Sequence, residues 1–454
     1  MLVNFKVSNF LSFEQEQIFS MEAGKARTHS ERVLINKKMK LLKFMAVYGS
    51  NASGKSNMIT ALDFVKSIIT EGLSSDCSEY YCRLSEENSS RPSSFEFTIE
   101  INGKCYRYGF SIILKTLSFQ TEWLHELTYG KNYHIIFDRK ISGGRYTVCN
   151  YFKDKGLNDR LMIYADDIKN DDSVLFLSLM NQNKATLYES FSEARIYQDV
   201  FKWFKYKLSV NSPDSPITNY TLVNEETVSQ ISHLLSEFST NVSEFKLVDI
   251  PIEKVMGSVQ KNLIKKVTER LMEHKKHAIE NSNATNPTIM LRNPYDNSMF
   301  IFELNQDGEI IAKTSQFSHF NTDAIFSSNE ESDGTIRLLD LIEILLSDDS
   351  EKVYVIDEIN RRFHPLLTYK FVEEYLKLAE SRSIQLIVTT HESRIMDLNL
   401  LRKDEISFIN KDEKGRSEIY SLDNFNERFD KKIRTAYLRG DYGAIPKFNI
   451  KTEE

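Results

Sequence analysis

FMAVYGSNASGKSNMITALDFVKSII, residues 44–69, reads as strand, loop and helix in that order. FMAVYGS (44–50) is apolar and β-prone, GSNASGKS (49–56) fits the pattern Gly-x4-Gly-Lys-Ser, and Met58, Leu62, Val65 and Ile69 make one helical stripe. Such a loop works only where backbone N–H groups and a helix N-terminus converge on phosphate oxygens, so the flanking elements matter as much as the pattern. Gly49 and Gly54 permit unusual dihedrals, and Ser50, Asn51, Ala52, Ser53 and Asn57 complete the candidate cradle with them. Lys55 would reach the β- and γ-phosphates of a nucleotide, and the Ser56 hydroxyl would ligate Mg²⁺.

Three further pieces lie downstream. In KVYVIDE (352–358) the run Val353–Ile356 continues without alternation, as a strand buried on both faces does, and then releases two carboxylates. Asp357 would hold Mg²⁺ through water, and Glu358 would polarise an attacking water beside the γ-phosphate. QLIVTTH (385–391) is a second apolar strand whose polar end carries Thr389, Thr390 and His391. ESDGT (331–335) opens the helix TIRLLDLIEILL, whose Leu338, Leu341, Ile342 and Leu345 share an apolar face. There Ser332, Asp333, Gly334 and Thr335 present a hydroxyl and free N–H groups to an anion, or else form an ordinary helix start capped by Ser332 or Asp333.

The order of phosphate loop, Ser-x-Gly-Thr turn, acidic strand and histidine resembles the nucleotide-binding head of ABC-type ATPases of the Rad50/RecF/OLD kind (the AAA_15/AAA_21 group). The resemblance implies an α/β P-loop head, a mixed sheet with an antiparallel β lobe and a helical insertion between phosphate loop and signature. It also implies ATP and Mg²⁺ as cofactors, and a signature turn (Ser332 to Thr335) closing in trans over ATP held by a second head. Lys55, Glu358 and the switch residue His391 would be catalytic, and Asn360, Arg361 and Arg362 would form the D-loop that crosses to the partner. No glutamine occurs in 71–98, so the glutamine loop of such heads is not placed.

Composition narrows the class. With 454 residues and 41% hydrophobic content the chain can bury a large core, enough for a head plus an insertion. A net charge of −7 argues against gripping nucleic acid as the main task. Cys77, Cys82, Cys105 and Cys149 lack zinc spacing and read as reduced thiols of a bacterial cytoplasmic protein. MLVNFKVSNFLSF alternates like a strand rather than a signal peptide, and no apolar run is long enough to span a bilayer.

Along the chain we expect head lobe I at 1–172, a mostly helical insertion at 173–330 and head lobe II at 331–454. FKVSNFLSF (5–13) reads as a first strand, 71–92 as a polar, mobile loop, and 94–112 as a hairpin about Asn102-Gly103. The helix expected at 255–280 carries Val259, Leu263, Val267 and Leu271 on one face and six basic residues on the other. That basic face is either a docking or nucleic-acid surface or simply a solvated one. Further hairpins are expected at 299–313 and 405–422, and the chain after His391 is too short for a nuclease domain.

The tail YLRGDYGAIP (437–446), the EESDGT signature and DEINRRFHPLL (357–367) narrow the resemblance to bacterial phage-defence ATPases, RloA-like or AbiL-like, and to the ATPase subunit (AriA) of the PARIS system. That likeness implies an abortive-infection sensor that pairs with itself, or assembles further into a hexamer of heads. It would hold a separate effector, a TOPRIM-like nuclease, and release or activate it in response to a phage-encoded trigger. The alternative is a RecF/Rad50-like repair ATPase that binds DNA directly. No membrane partner is implied.

Overall fold

Phe44–Tyr48 is buried at every position and lies inside a six-stranded sheet, as its apolar run predicts. The strand order is Leu208–Asn211, Val353–Ile356, Gln385–Thr389, Phe44–Tyr48, Ile406–Lys411 and Ser417–Ser421. Val353–Ile356 runs parallel to Gln385–Thr389, which runs parallel to Phe44–Tyr48, which runs parallel to Ile406–Lys411. Parallel strands covered on both faces need continuous apolar sequence, and all three motif strands have it. Their carboxyl ends therefore emerge side by side, where open α/β sheets build ligand sites.

The computed structural model describes residues 1–36, 39–128, 132–141, 145–147, 151–211, 225–252, 254–255, 265, 267–272, 275, 288–293, 296–305, 307–347, 350–425 and 432–445. The chain divides into two units: Met1–Val210, Asp349–Ile359 and Ala379–Glu454 form the first, and Asn211–Asp348 with Asn360–Leu378 the second. Most of the expected helix at 255–280, including Val259, Leu263, Lys261 and Lys266, lies outside the described residues, as does Cys149.

Beside the central sheet, the first unit holds a seven-stranded antiparallel sheet. Its order is Arg145–Thr147, Tyr133–Lys140, Ser118–Leu127, Lys104–Ile113, Ser93–Ile101, Leu2–Ser8 and Gln17–Ser20. The hairpin about Asn102-Gly103 is present, both turn residues being left-handed (φ 51° and 79°) as a two-residue hairpin turn requires. Gln385 ties the two sheets together: it accepts from Leu2 N at 2.7 Å and donates to the Leu2 and Leu42 carbonyls at 3.0 and 2.9 Å. The helix Lys55–Glu71 buries Met58, Leu62, Val65 and Ile69, the stripe read from sequence, and Phe64 besides. Phe64 packs on Phe10 and Phe95, with centroids 5.1 and 5.2 Å apart.

Two local expectations change. The first strand stops at Ser8, because Asn9 and Leu11 are left-handed and the chain turns there to bridge Phe10 and Phe13. The loop 71–92 is not mobile in character but pinned: the buried Asn9 amide donates to the Asn88 and Arg91 carbonyls and accepts from Cys82 N.

A buried polar cluster holds the helical layer behind the antiparallel sheet. Glu122 accepts from Phe176 N at 2.6 Å, Leu177 N at 3.0 Å and the Tyr108 hydroxyl at 3.1 Å. Arg139, 3.7 Å from Glu122, donates to the Val174, Ile168 and Asp171 carbonyls. The pair caps one helix start and closes the loop before it, with both terminal nitrogens of Arg139 and both oxygens of Glu122 engaged.

In the second unit, the later part of the span 173–330 is built of strands. Val242–Ile250, Ile310–His319, Met299–Leu304 and Thr288–Arg292 form an antiparallel sheet, with Ile325–Ser327 paired to Ile310–His319. The expected hairpin at 299–313 is part of it. The helix Asp333–Leu346 is buried from Thr335 to Leu345, charged residues included, so it is a core element rather than an amphipathic surface helix.

Candidate functional site

The phosphate loop is shaped by close backbone approach. A Cβ on Gly49 would lie 2.5 Å from the Ile409 carbonyl, and one on Gly54, at φ 112°, would lie 2.9 Å from Ser12 Oγ. Both positions therefore require glycine, whereas Ala52 adopts the left-handed region (φ 60°) despite its side chain. Lys55 Nζ donates to the Gly49 and Ser50 carbonyls at 2.9 and 3.0 Å, which stretches the lysine back across the mouth of the loop. Ser53 Oγ is buried without a hydrogen-bond partner among the described residues. Ser56 and Asn51 are exposed at the helix start. Glycine-lined backbone, a lysine over it and an unpartnered buried hydroxyl fit a phosphate group.

The acidic strand ends beside this loop. Asp357 is buried, and the Thr389 hydroxyl donates to its Oδ1. Glu358 is left-handed (φ 52°), its N–H donates to the same Thr389 oxygen at 2.8 Å, and Ile359 N donates to the Thr389 carbonyl at 3.1 Å. Burial lowers the Lys55 pKa, while the charges of Asp357 and then Glu358 oppose that shift. His391 is also lowered, first by loss of solvent and then by the Lys55 charge, with Asp357 acting the other way. Lys55, Asp357, Glu358 and His391 are thus electrostatic neighbours at the carboxyl ends of adjacent strands, and Asp357 with Ser56 is the donor set suited to a hard divalent cation.

Ser332 to Thr335 and Asn360 to Arg362, expected as signature turn and D-loop, belong to the second unit. Ser332 caps its helix: its Oγ accepts from Thr335 N at 3.1 Å and lies 2.8 Å from Thr335 Oγ1. Asp333 pairs with Arg362 at 3.3 Å, and Gly334 sits under the Arg362 backbone, where a Cβ would lie 3.3 Å from its carbonyl oxygen. Asn360 and Arg361 follow the acidic strand, and Pro365 opens the next helix, Pro365–Ser381.

Three supporting residues are not evident from motif reading. Thr389 was visible only as the polar end of a strand. Ser417 donates to the Ser53 carbonyl at 2.6 Å, its Oγ lies 2.7 Å from Ser12 Oγ, whose proton it can accept, and Ser12 in turn accepts from Asn57 at 2.7 Å. Ser12 and Ser417 brace the phosphate loop from distant points of the chain, and only the serine within the FLSF stretch gives any local signal.

Among curated proteins, none matches the chain. Solved structures similar to it include an SMC head bound to the C-winged helix domain of ScpA, at 14% identity and TM-score 0.41, covering 92% of this chain and 97% of that one. Another is the SMC head domain from Thermotoga maritima, at 13% identity and TM-score 0.32, covering 92% and 98%. A third is an Smc head with an extended coiled coil bound to the C-terminal domain of ScpA derived from Pyrococcus furiosus, at 13% identity and TM-score 0.38, covering 92% and 96%. Among the described residues no helix is long and apolar enough to cross a membrane. The family described as "AAA domain, putative AbiEii toxin, Type IV TA system" matches residues 44–144 and 181–397, which include the phosphate loop, the signature turn, the acidic strand and His391. With more than half of its length so matched, the chain belongs to this AAA-domain family.

Proposed function

We propose that the chain hydrolyses ATP and works as a pair of heads, each closing its signature turn over nucleotide bound to the other. The observation that carries the reading is the gathering of Lys55, Asp357, Glu358 and His391 at the ends of three adjacent parallel strands. Lys55 leaves the Gly49 and Ser50 carbonyls for the phosphates and neutralises charge as it grows on the transferred group. Glu358, held by Thr389, accepts a proton from the attacking water. His391, biased toward its neutral form, contacts the γ-phosphate and reports its loss. Mg²⁺, held by Ser56 and through water by Asp357, would supply further charge neutralisation between the phosphates.

In this reading hydrolysis is a timing device for a separate protein. The family description names a toxin and a type IV toxin–antitoxin system, and the sequence resembles phage-defence ATPases. The second, the resemblance, suggests a regulatory subunit that retains an effector, a TOPRIM-like nuclease, in one nucleotide state and releases or activates it in another upon a phage-encoded trigger. A nucleotide that favours one head arrangement by a few kcal/mol can change effector affinity by about 10²-fold.

The test is ATP turnover by the purified chain. Lys55→Ala should abolish nucleotide binding, whereas Glu358→Gln should bind ATP and hydrolyse it on the order of 10²–10⁴-fold more slowly. Wild-type turnover in Glu358→Gln would remove the assigned general base and with it the mechanism.

A further inference from the structure

An acid in the signature turn poses an electrostatic problem. Asp333 sits between Ser332 and Gly334, the two residues that on the proposed reading face a phosphate, and a free carboxylate there repels the ligand. The first turn of a helix favours acids through its dipole, but that alone leaves the carboxylate at the same mouth. Instead, Asp333 Oδ1 is held from two sides. Arg362 Nη1 lies 3.3 Å away, and Asn297 Nδ2 donates at 3.3 Å.

Both partners are themselves fixed. Asn297 is left-handed (φ 59°) in the turn joining Thr288–Arg292 to Met299–Leu304, where its N–H donates to the Asn293 carbonyl at 2.9 Å. Its side-chain oxygen accepts from Arg292 Nη1 at 3.3 Å, and Arg292 Nη2 lies 3.1 Å from the buried Asp340 of the signature helix. Arg362 is also left-handed (φ 64°), and its carbonyl closes over Gly334. Arg362 thus grips the turn twice, by its guanidinium on Asp333 and by its backbone above Gly334. It lies four positions after Glu358 in the chain, with Asn360 and Arg361 between.

We infer that Arg362 is a positioning residue for the signature turn. Through Asp333 it fixes Ser332 and Gly334 in the orientation needed over a phosphate. The inference rests on the ATPase reading above. Asp333 is then an anchor whose charge is answered within its own unit.

The experiment is a double-mutant cycle read as ATP turnover, with the wild type and Lys55→Ala run alongside. Arg362→Ala and Asp333→Ala should each lower kcat on the order of 10²-fold, the effect of a reacting constellation displaced by about 1 Å. KM should change much less, because the phosphate loop is untouched. The double variant should be no worse than either single one, since both break one interaction. Arg362→Lys should recover most of the loss, which a general packing defect would not allow. Arg362→Met, which keeps most of the apolar stem but has no donor for the carboxylate, serves as the second variant if thermal unfolding shows Arg362→Ala to be misfolded. Additive losses, or faster turnover in Asp333→Ala, would overturn the anchor. A wild type without Lys55-dependent hydrolysis defeats the ATPase reading itself, whereas Lys55-dependent hydrolysis that survives intact in Arg362→Ala or Arg362→Met defeats only this inference.

Discussion

The Thr389 hydroxyl donates to Asp357 and accepts from the N–H of Glu358 at 2.8 Å, so one oxygen sets the side chain of one acid and the backbone of the next. Thr389 is fully buried on the neighbouring parallel strand, which gives that oxygen little freedom. Thr389→Val keeps the shape and β-propensity of the site but removes both hydrogen bonds. Its cost in stability should be about 1–3 kcal/mol, the penalty for orphaning buried polar groups. Turnover should fall by roughly 10–10²-fold as Glu358 loses its fixed approach to water. Thr389→Ser should restore most of the rate. The check is kcat for the three proteins together with urea unfolding, and a Thr389→Val enzyme of normal kcat would show that the hydroxyl does not position Glu358.

Sharing of the site between chains predicts complementation. Lys55→Ala destroys the phosphate-loop half of a composite site and Ser332→Arg the signature half, so each homogeneous protein should be inactive. A mixed dimer keeps one intact pair, namely Lys55 from one chain and Ser332 from the other. Equal mixing with random pairing should then recover about a quarter of wild-type turnover in a two-fold dimer. Mixed dimers demonstrated by differential tagging, yet without activity above either parent, would rule out a site formed in trans.

What the sequence disclosed follows from the range of the forces involved. Val353–Ile356 was readable to the residue, and the strand within QLIVTTH (385–391) from its start, because burial on both faces writes itself into consecutive apolar positions, and Asn102-Gly103 because a tight turn needs two left-handed residues. The lysine, the two acids and the histidine were readable because each ends or follows such a strand. Ser12 and Ser417 were not, since their importance lies in contacts made across hundreds of positions, and Arg362 was readable only as part of the loop after the acidic strand, not as the partner of Asp333. The loop 71–92 misled for the same reason: its polar composition says nothing of the buried Asn9 that holds it. The strands after Val242 were missed in part because the helical pattern at 255–280 dominated the reading of that span.

A last prediction concerns a buried acid outside the site. Glu405 is fully buried; one oxygen accepts from Arg402 N at 2.8 Å, and Oε1 has no partner among the described residues. The Arg402 guanidinium is taken up by Asp404, at 2.8 and 2.6 Å, and by the Thr28 and Ala26 carbonyls. Burial pushes the Glu405 pKa up to about 8; Asp404 adds to the rise, while the Arg402 N–H and the charges of Arg32 and Arg402 oppose it. An unfolded glutamate titrates near 4.3, so between roughly pH 4 and 8 the native state keeps a proton that the unfolded state has lost. The stability this group contributes is therefore full below that window and declines as pH rises through it, by up to about 1.4 kcal/mol per unit, then levels off. Glu405→Gln keeps an acceptor for Arg402 N and cannot ionise. Urea unfolding at pH 5.5, 7.0 and 8.5 should show the variant gaining on the wild type at each step, by a few kcal/mol over the range. A difference that stays constant across the three pH values would mean that Glu405 is ionised in the folded protein, and that Arg32 and Arg402 outweigh its burial.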